Sequence, residues 1–410
     1  MSISIKKGAF FSSISMAANF GFPLAALPLL SRGLGSNAYG ELLIVQAIVL
    51  MLCQVVDFGF MLAGSRKVAV VRDDEQALDS VFSRVQMARL SLVLFCFFLL
   101  ALLIVFEASP VPGNLLSAAA FPAIVGTFFQ AMWFFQGMAF FGWLALSNLL
   151  SKGFYFFSIY LFVGSAEDQI LAAFLFGFSY VVGALVLNFS LFLSGIKFSV
   201  DFNVRHLLGT LREAFNSFLS LALLSIHMHI LVAAVGAIFG PSAAGVLATA
   251  DRIVRGVSAV AVPFANALFP VFSKLYACND LKAVLLRKRA AVGMLFVGFL
   301  GASFVFLQSE NIAELAFPDI SSELIGYLQI MSFTPAVFCL GVVYGGLTLI
   351  PAGYDRIYFW VIVCSEFLGC LLFAILVIFG GKYVGAWVSL VVESCIAILM
   401  FFSARLCVKY

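Results

Sequence analysis

Two stretches, RGLGSNAYGELLIVQAI (Arg32–Ile48) and AIFGPSAAGVLATADRI (Ala237–Ile253), share one skeleton. Setting Gly35 on Gly240 aligns Ser36 with Pro241, Gly40 with Gly245, Leu42 with Leu247 and Ile48 with Ile253 without a gap. From 35 to 240 is 205 residues, half of the 410-residue chain. A glycine-rich phosphate loop must follow a strand and open a soluble helix. Here the glycines join one long apolar run to the next, so a nucleotide loop is excluded. Gly33 and Gly35 end a first helix, because glycine tolerates the left-handed conformation of a helix terminus. Gly40 then lets the second helix start in tight contact with the first.

The setting of both turns is apolar. The chain is 63% hydrophobic and 10% charged, with a mean hydropathy of +1.13. Soluble domains run at about 45–50% apolar and about 25% charged, so most of this surface must face lipid. A spanning helix needs roughly 20 apolar residues, and twelve such runs are legible: 9–31, 40–64, 87–106, 115–136, 143–163, 170–194, 214–238, 245–272, 290–307, 323–349, 358–379 and 383–404. Their continuity excludes a barrel, whose strands alternate over about ten residues. The predicted fold is an all-α membrane protein of twelve transmembrane helices in two pseudo-symmetric six-helix lobes, residues 1–200 and 201–410. The first run follows Lys6 and Lys7 as a signal peptide's core would, but it is too long for one and is read as a retained helix.

Lysine and arginine set the orientation. With a cytoplasmic N-terminus, eighteen of the 23 fall inside, Arg32 and Lys382 fall outside, and Lys152, Arg252 and Arg255 fall within spans. Both termini are therefore expected in the cytoplasm. The net charge of +3 describes that face and not a nucleic-acid partner. The eight cysteines lie mostly inside spans without a zinc or redox spacing, and no cofactor or metal is implied. Both glycine turns lie on the outer side, so the halves run in the same membrane orientation. That is a duplication pattern of secondary transporters, whose site lies between the halves. The basic stretch Gly195–Asn216 reads as an interfacial amphipathic hinge.

Four stretches carry a specific resemblance: LPLLSRGLGSNAYGELLIVQAI (27–48), VVDFGFMLAGSRKVAV (55–70), MWFFQGMAFFGWLALSNLLSKGFYFFSIYLFV (132–163) and AAGVLATADRIVRGV with PFANALFPVFSKL (243–275). Together they resemble the Wzx-type O-antigen flippases, the polysaccharide branch of the multidrug/oligosaccharidyl-lipid/polysaccharide (MOP) superfamily. The resemblance implies a MATE-like V of two lobes in the bacterial inner membrane. It implies movement of undecaprenyl-diphosphate-linked oligosaccharide from the cytoplasmic to the periplasmic leaflet. A coupling ion, H+ or Na+, and an envelope polysaccharide polymerase partner are compatible with it.

Such a substrate sets physical demands. Its diphosphate needs cations, and a Lys or Arg at a helix centre costs roughly 2.5–3.5 kcal/mol on insertion scales. Lys152 lies on the order of 13 Å into its span, with Asn148 one turn before it. Arg252 and Arg255 point one way, and Asp251 is an i,i+4 partner for Arg255. Lys152, Arg252 and Arg255 are the candidate diphosphate ligands; the competing reading for Arg255 is a buried ion pair. Arg32 joins them through the resemblance, although it also stands where it can reach headgroups. For the sugar, Gln130, Trp133 and Phe134 form a stripe at helical spacing, with Asn148 as a further polar contact; packing is the rival explanation. Ser12, Ser15 and Asn19 share a face that equally suits helix–helix hydrogen bonds. Asp57, Arg66 and Lys67 mark a cytoplasmic entrance, though the last two also obey the positive-inside rule unaided. Glu366 and Glu393, near the midplane, are the candidates for ion coupling, since a carboxylate there needs a proton, a cation or a basic partner. His227 and His229 are too far apart around their helix for both to face one cavity. Pro23, Pro28, Pro263 and Pro270 permit bends.

Two rival classes remain open on the sequence. A cation-coupled multidrug exporter of the same superfamily would want a negative cavity, against Lys152 and Arg252. A membrane-embedded polymerase or ligase would want a large outer loop, whereas 308–322 is the longest and carries only Glu310, Glu314 and Asp319. Lipid-II flippase relatives usually have fourteen helices.

Overall fold

The computed structural model describes residues 2–107, 109–199, 203–278, 282–316, 321–379 and 383–407, the side chains of 2–9, 220–227, 266, 267, 270, 277 and 321 excepted. His227 lies outside the described side chains. The described regular elements are helical. In order they are α1 (Ser2–Asp57), α2 (Phe60–Val71), α3 (Glu75–Val105), α4 (Gly113–Gln130), α5 (Met132–Gly137), α6 (Phe141–Phe162), a 3-10 turn (Ala166–Asp168), α7 (Gln169–Leu193), α8 (Val204–Phe239) and α9 (Pro241–Ser258). There follow α10 (Ala261–Ala277), α11 (Lys282–Leu307), α12 (Ser309–Ala316), α13 (Ser321–Met331), α14 (Thr334–Gly341), a π-helical segment (Val342–Leu349), α15 (Asp355–Ile378) and α16 (Val384–Cys407).

The twelve apolar runs all fall on helix. Among the described residues, eight stretches are long and apolar enough to cross a membrane, and the first, Phe10–Val71, contains two of the expected spans. The expected spans 143–163 on α6, 214–238 on α8 and 245–272 on α9 and α10 are not among the eight; of α8, Met228–Phe239 counts as a shorter apolar helix. α6 carries Asn148 and Lys152, and α9 carries Asp251, Arg252 and Arg255, polar residues within apolar helices.

The opening turn takes the form the repeat demands. Gly35, inside α1, has φ 73° and ψ 170°. Gly240, between α8 and α9, has φ 93° and ψ 165°. Only glycine occupies that region without strain, so the two aligned glycines share one backbone solution. The second aligned pair meets in space. A Cβ on Gly40 would lie 1.9 Å from the Pro241 carbonyl oxygen, and one on Gly245 would lie 3.1 Å from the Gly40 Cα.

Packing divides the chain into two compact units, 1–245 and 246–410. The first unit extends to Gly245 because α8 packs along α1, α2 and α3. The stretch expected as a hinge is helical from Val204 onward.

In the first unit the second half of α1 forms the core, with Leu42, Leu43, Ile44, Val45 and Val49 buried. In lipid, helices associate through close packing of small residues more than through apolar burial. The pairing of α4 with α7 follows that rule: a Cβ on Gly177 would fall 2.2 Å from the Ala119 carbonyl oxygen, and one on Gly126 would fall 2.5 Å from the Tyr180 backbone. The second unit repeats the device, with Gly298 of α11 against Ala336 of α14 and Gly369 of α15 against Val392 of α16. Its π-helical segment packs on α16 and α10.

Candidate functional site

In the first unit α6 presents its polar residues to α1 and α7. Asn148 Nδ2 donates to Ser15 Oγ of α1. One turn on, the Lys152 ammonium sits over the Tyr180 ring, 4.6 Å from its centroid, a distance at which a ring's quadrupole attracts a cation. Gln130 Nε2 of α4 donates to the Tyr180 carbonyl at 2.9 Å. Lys152 and Gln130, expected for different parts of a substrate, are thus joined through one residue that the sequence reading missed. Tyr180 sits in a run of aromatic and aliphatic residues in α7 where nothing marks it. Below this layer Ser147 and Ser151 donate to the carbonyls of Gly183 and Ser179 at 2.9 and 2.7 Å, tying α6 to α7.

The expected aromatic stripe does not form one continuous face. Ala131 takes a left-handed conformation (φ 41°, ψ 38°) and separates α4 from α5. Gln130 and Trp133 therefore lie on different helices. Trp133 is 1% exposed, stacks on Phe82 with centroids 5.9 Å apart and covers Gly64. In this structure it is a packing residue. Gln130 is itself buried, its amide committed to Tyr180.

The entrance residues separate into two ion pairs and one exposed cation. Asp57 Oδ1 accepts from Arg89 Nη2 at 2.9 Å. Arg89 is 1% exposed and also donates to the carbonyls of Thr127 (2.6 Å), Phe128 (2.9 Å) and Val56 (3.4 Å) and to Gln86 Oε1 (3.0 Å). The cause is local: α4 and α1 both end here, and the last carbonyls of a helix lack intrahelical partners. The sequence reading counted Arg89 among the cytoplasmic loop cations; the structure makes it the buried cap of two helix ends. Lys67 pairs with Glu213 of α8, and Arg66 and Arg32 are exposed.

The second unit holds a compact charge cluster. Arg255 Nε donates to Asp251 Oδ1 at 2.7 Å within α9, and its Nη1 lies 3.6 Å from Glu393 Oε1 of α16. Glu366 of α15 adds to the negative field at the same guanidinium. Glu366 and Glu393 are each 8% exposed. Of the two expected coupling acids, Glu393 approaches Arg255 directly and Glu366 acts on it through its field, and Asp251 is its i,i+4 partner as expected. Arg252, next to Asp251 in α9, is half-buried. In the first unit, His229 of α8 is half-buried as well.

Comparison with known proteins places this arrangement. Residues 5–276, more than half the chain, match the family described as polysaccharide biosynthesis protein. A protein of Escherichia coli (strain K12) named as a putative O-antigen transporter is 23% identical over 403 residues, covering 97% of each chain. One of the same name from Shigella dysenteriae is 24% identical over 394 residues, covering 93% of this chain and 94% of its own. The inward-facing structure of a multidrug resistance MATE family transporter of the MOP superfamily shares the fold, with a TM-score of 0.79, 19% identity and 97% of both chains covered. The chain belongs to the polysaccharide biosynthesis protein family and is a multi-pass membrane protein with a MATE-like fold.

Proposed function

We propose that this chain is a transporter, not an enzyme, that carries lipid-linked polysaccharide units. It moves undecaprenyl-diphosphate-linked oligosaccharide, an O-antigen or similar repeat, from the cytoplasmic to the periplasmic leaflet of the inner membrane by alternating access. The observation that carries this reading is the full-length likeness to two relatives named as putative O-antigen transporters. It is supported by the cations kept inside membrane helices, Lys152 over Tyr180 and Arg252 beside Arg255. A cation in an apolar span costs too much to persist without a task, and an anionic diphosphate is a fitting counterpart. Lys152, Arg252, Arg255 and Arg32 serve the diphosphate, and Asn148 beside Lys152 serves the sugar. Glu366 and Glu393 serve coupling to H+ or Na+ by exchanging Arg255 for the ion. The termini lie in the cytoplasm, and a polysaccharide polymerase receives the product.

The test is complementation. A strain lacking its own O-antigen transporter, supplied with this chain and matching repeat-unit enzymes, regains surface polysaccharide. Lys152→Gln and Arg252→Gln, at normal expression, reduce that polysaccharide at least about tenfold, the loss of one charge-assisted contact. Unchanged polysaccharide in both variants overturns the basic-site reading.

A further inference from the structure

The two ion pairs at the end of α1 border a feature that transport as stated does not use. Beside them a cleft of about 420 Å³ is lined by Phe58, Leu208, Leu211, Arg212, Phe215 and Asn216. Such a volume is within the usual range for small-ligand sites, about 300–1,000 Å³.

Its walls are built rather than incidental. Phe58 and Gly59, the link between α1 and α2, both have positive φ, 39° and 72°. A Cβ on Gly59 would lie 2.3 Å from the Phe218 backbone nitrogen, so the link is pressed onto α8. The Phe58 ring is held parallel to Phe218, centroids 4.4 Å apart and 12° between planes, and faces Phe215 at 6.4 Å. A strained non-glycine residue at a clamped corner is a recurrent mark of function.

The chemistry of the lining is divided. Four apolar side chains make the floor, and Arg212 with Asn216 supplies one guanidinium and one amide. Both carboxylates next to the cleft are already engaged, Asp57 by Arg89 and Glu213 by Lys67. The lining charge is therefore positive. Along the same part of α8, Leu208 is 58% and Phe215 49% exposed, with Arg205 and Arg212 between and beside them. Exposed apolar residues among basic ones on a helix mark a segment lying in the headgroup boundary. The lysine and arginine distribution assigns this end of α1 to the cytoplasm.

We propose that this cleft is the loading site for the substrate lipid, taking a polyprenyl diphosphate with its phosphate on Arg212 and Asn216 and its first isoprene units against Phe58, Leu211 and Phe215. This rests on the transport reading above. A polyprenyl diphosphate fits better than a bulk glycerophospholipid, because a rigid aromatic wall beside a single cation suits one branched unsaturated chain rather than two saturated ones. Lys67, on the adjoining pair, then has a second anion to choose besides Glu213.

A photoreactive benzophenone-tailed polyprenyl diphosphate, added to the full chain in lipid nanodiscs, tests this. The expected result is a saturable cross-link to 58 and 204–218, displaced by undecaprenyl diphosphate. Excess phosphatidylglycerol or inorganic diphosphate does not displace it. Arg212→Glu and Phe215→Ala, both at exposed positions that keep the fold, weaken the labelling about tenfold. Equal displacement by phosphatidylglycerol, or labelling that ignores both variants, overturns the proposal. If labelling of this cleft is absent while the wild-type chain still restores surface polysaccharide, the loading site is wrong and the transport reading stands. If polysaccharide is not restored either, the transport reading itself has failed.

Discussion

Arg89 and Lys152 are both cations inside apolar helices, and the structure separates their tasks. Arg89 is consumed by five acceptors at two helix ends. Replacing it with methionine removes this donor from Asp57 and from the Thr127 and Val56 carbonyls, while the Phe128 carbonyl keeps Gln86 Nε2. Breaking a buried pair costs about 3–5 kcal/mol, and Arg89→Met should sit near about 3 because Asp57 keeps contact with water; a lowered Tm in detergent is the measurement. Asp57→Asn retains an acceptor and should cost nearer about 1 kcal/mol. Lys152 differs in kind: it lies over an aromatic face, a contact worth about 0.5–2 kcal/mol, so Lys152→Gln should lower Tm less than Arg89→Met does while lowering transport. Lys152 was legible in the sequence because hydropathy makes a buried charge conspicuous. Arg89 was not, because a basic residue near a span end satisfies the positive-inside rule whether it meets water or caps a neighbour. Tyr180 was invisible for a related reason: a tyrosine in an aromatic-rich helix gives no sign of which helix it will face.

Among the elements, the breaks carry more information than the helices. The turn glycines were legible, since only one backbone region serves a sharp outer turn and only glycine enters it freely. The break at Ala131 was not, because alanine is the best helix former and nothing nearby warns of a left-handed residue. The break puts Trp133, expected on a sugar-facing stripe with Gln130, on a separate short helix where it is buried. The close approach of Gly40 to Pro241 makes a sharp prediction. Gly40→Leu drives a side chain into the Pro241 carbonyl, and overpacking of this kind costs about 1–3 kcal/mol. Thermal unfolding should fall accordingly, whereas Gly21→Ala, where nothing lies within 4 Å, should change little. The length of α8 was under-read for a different cause: its basic N-terminal turns look like loop to a hydropathy scan, yet they are helical from Val204 onward.

For the whole molecule, composition and periodicity carried the fold class, because a lipid-facing surface leaves no other fate for so many apolar residues. The division of the chain was less legible. A sequence midpoint follows the duplication, while the compact units follow contacts, which carry α8 onto α1, α2 and α3. The charge cluster of the second unit extends across α9, α15 and α16, so its members are far apart in sequence and only their depth could suggest them. If Glu366 and Glu393 trade Arg255 for a driving ion, Glu393→Gln should make transport insensitive to an imposed proton or sodium gradient while leaving lipid labelling at the cleft intact. Measured flux in vesicles with and without the gradient decides this; a variant that keeps full gradient dependence removes Glu393 from coupling.

Gly35 and Gly240 hold one backbone shape that forbids a side chain, and they do so half a chain apart. A saturation scan of all positions should therefore return a tolerance map with a period: two intolerant points, each flanked by the same graded profile. Swapping the segment around one turn for its counterpart should be better tolerated than any single non-glycine residue at either centre.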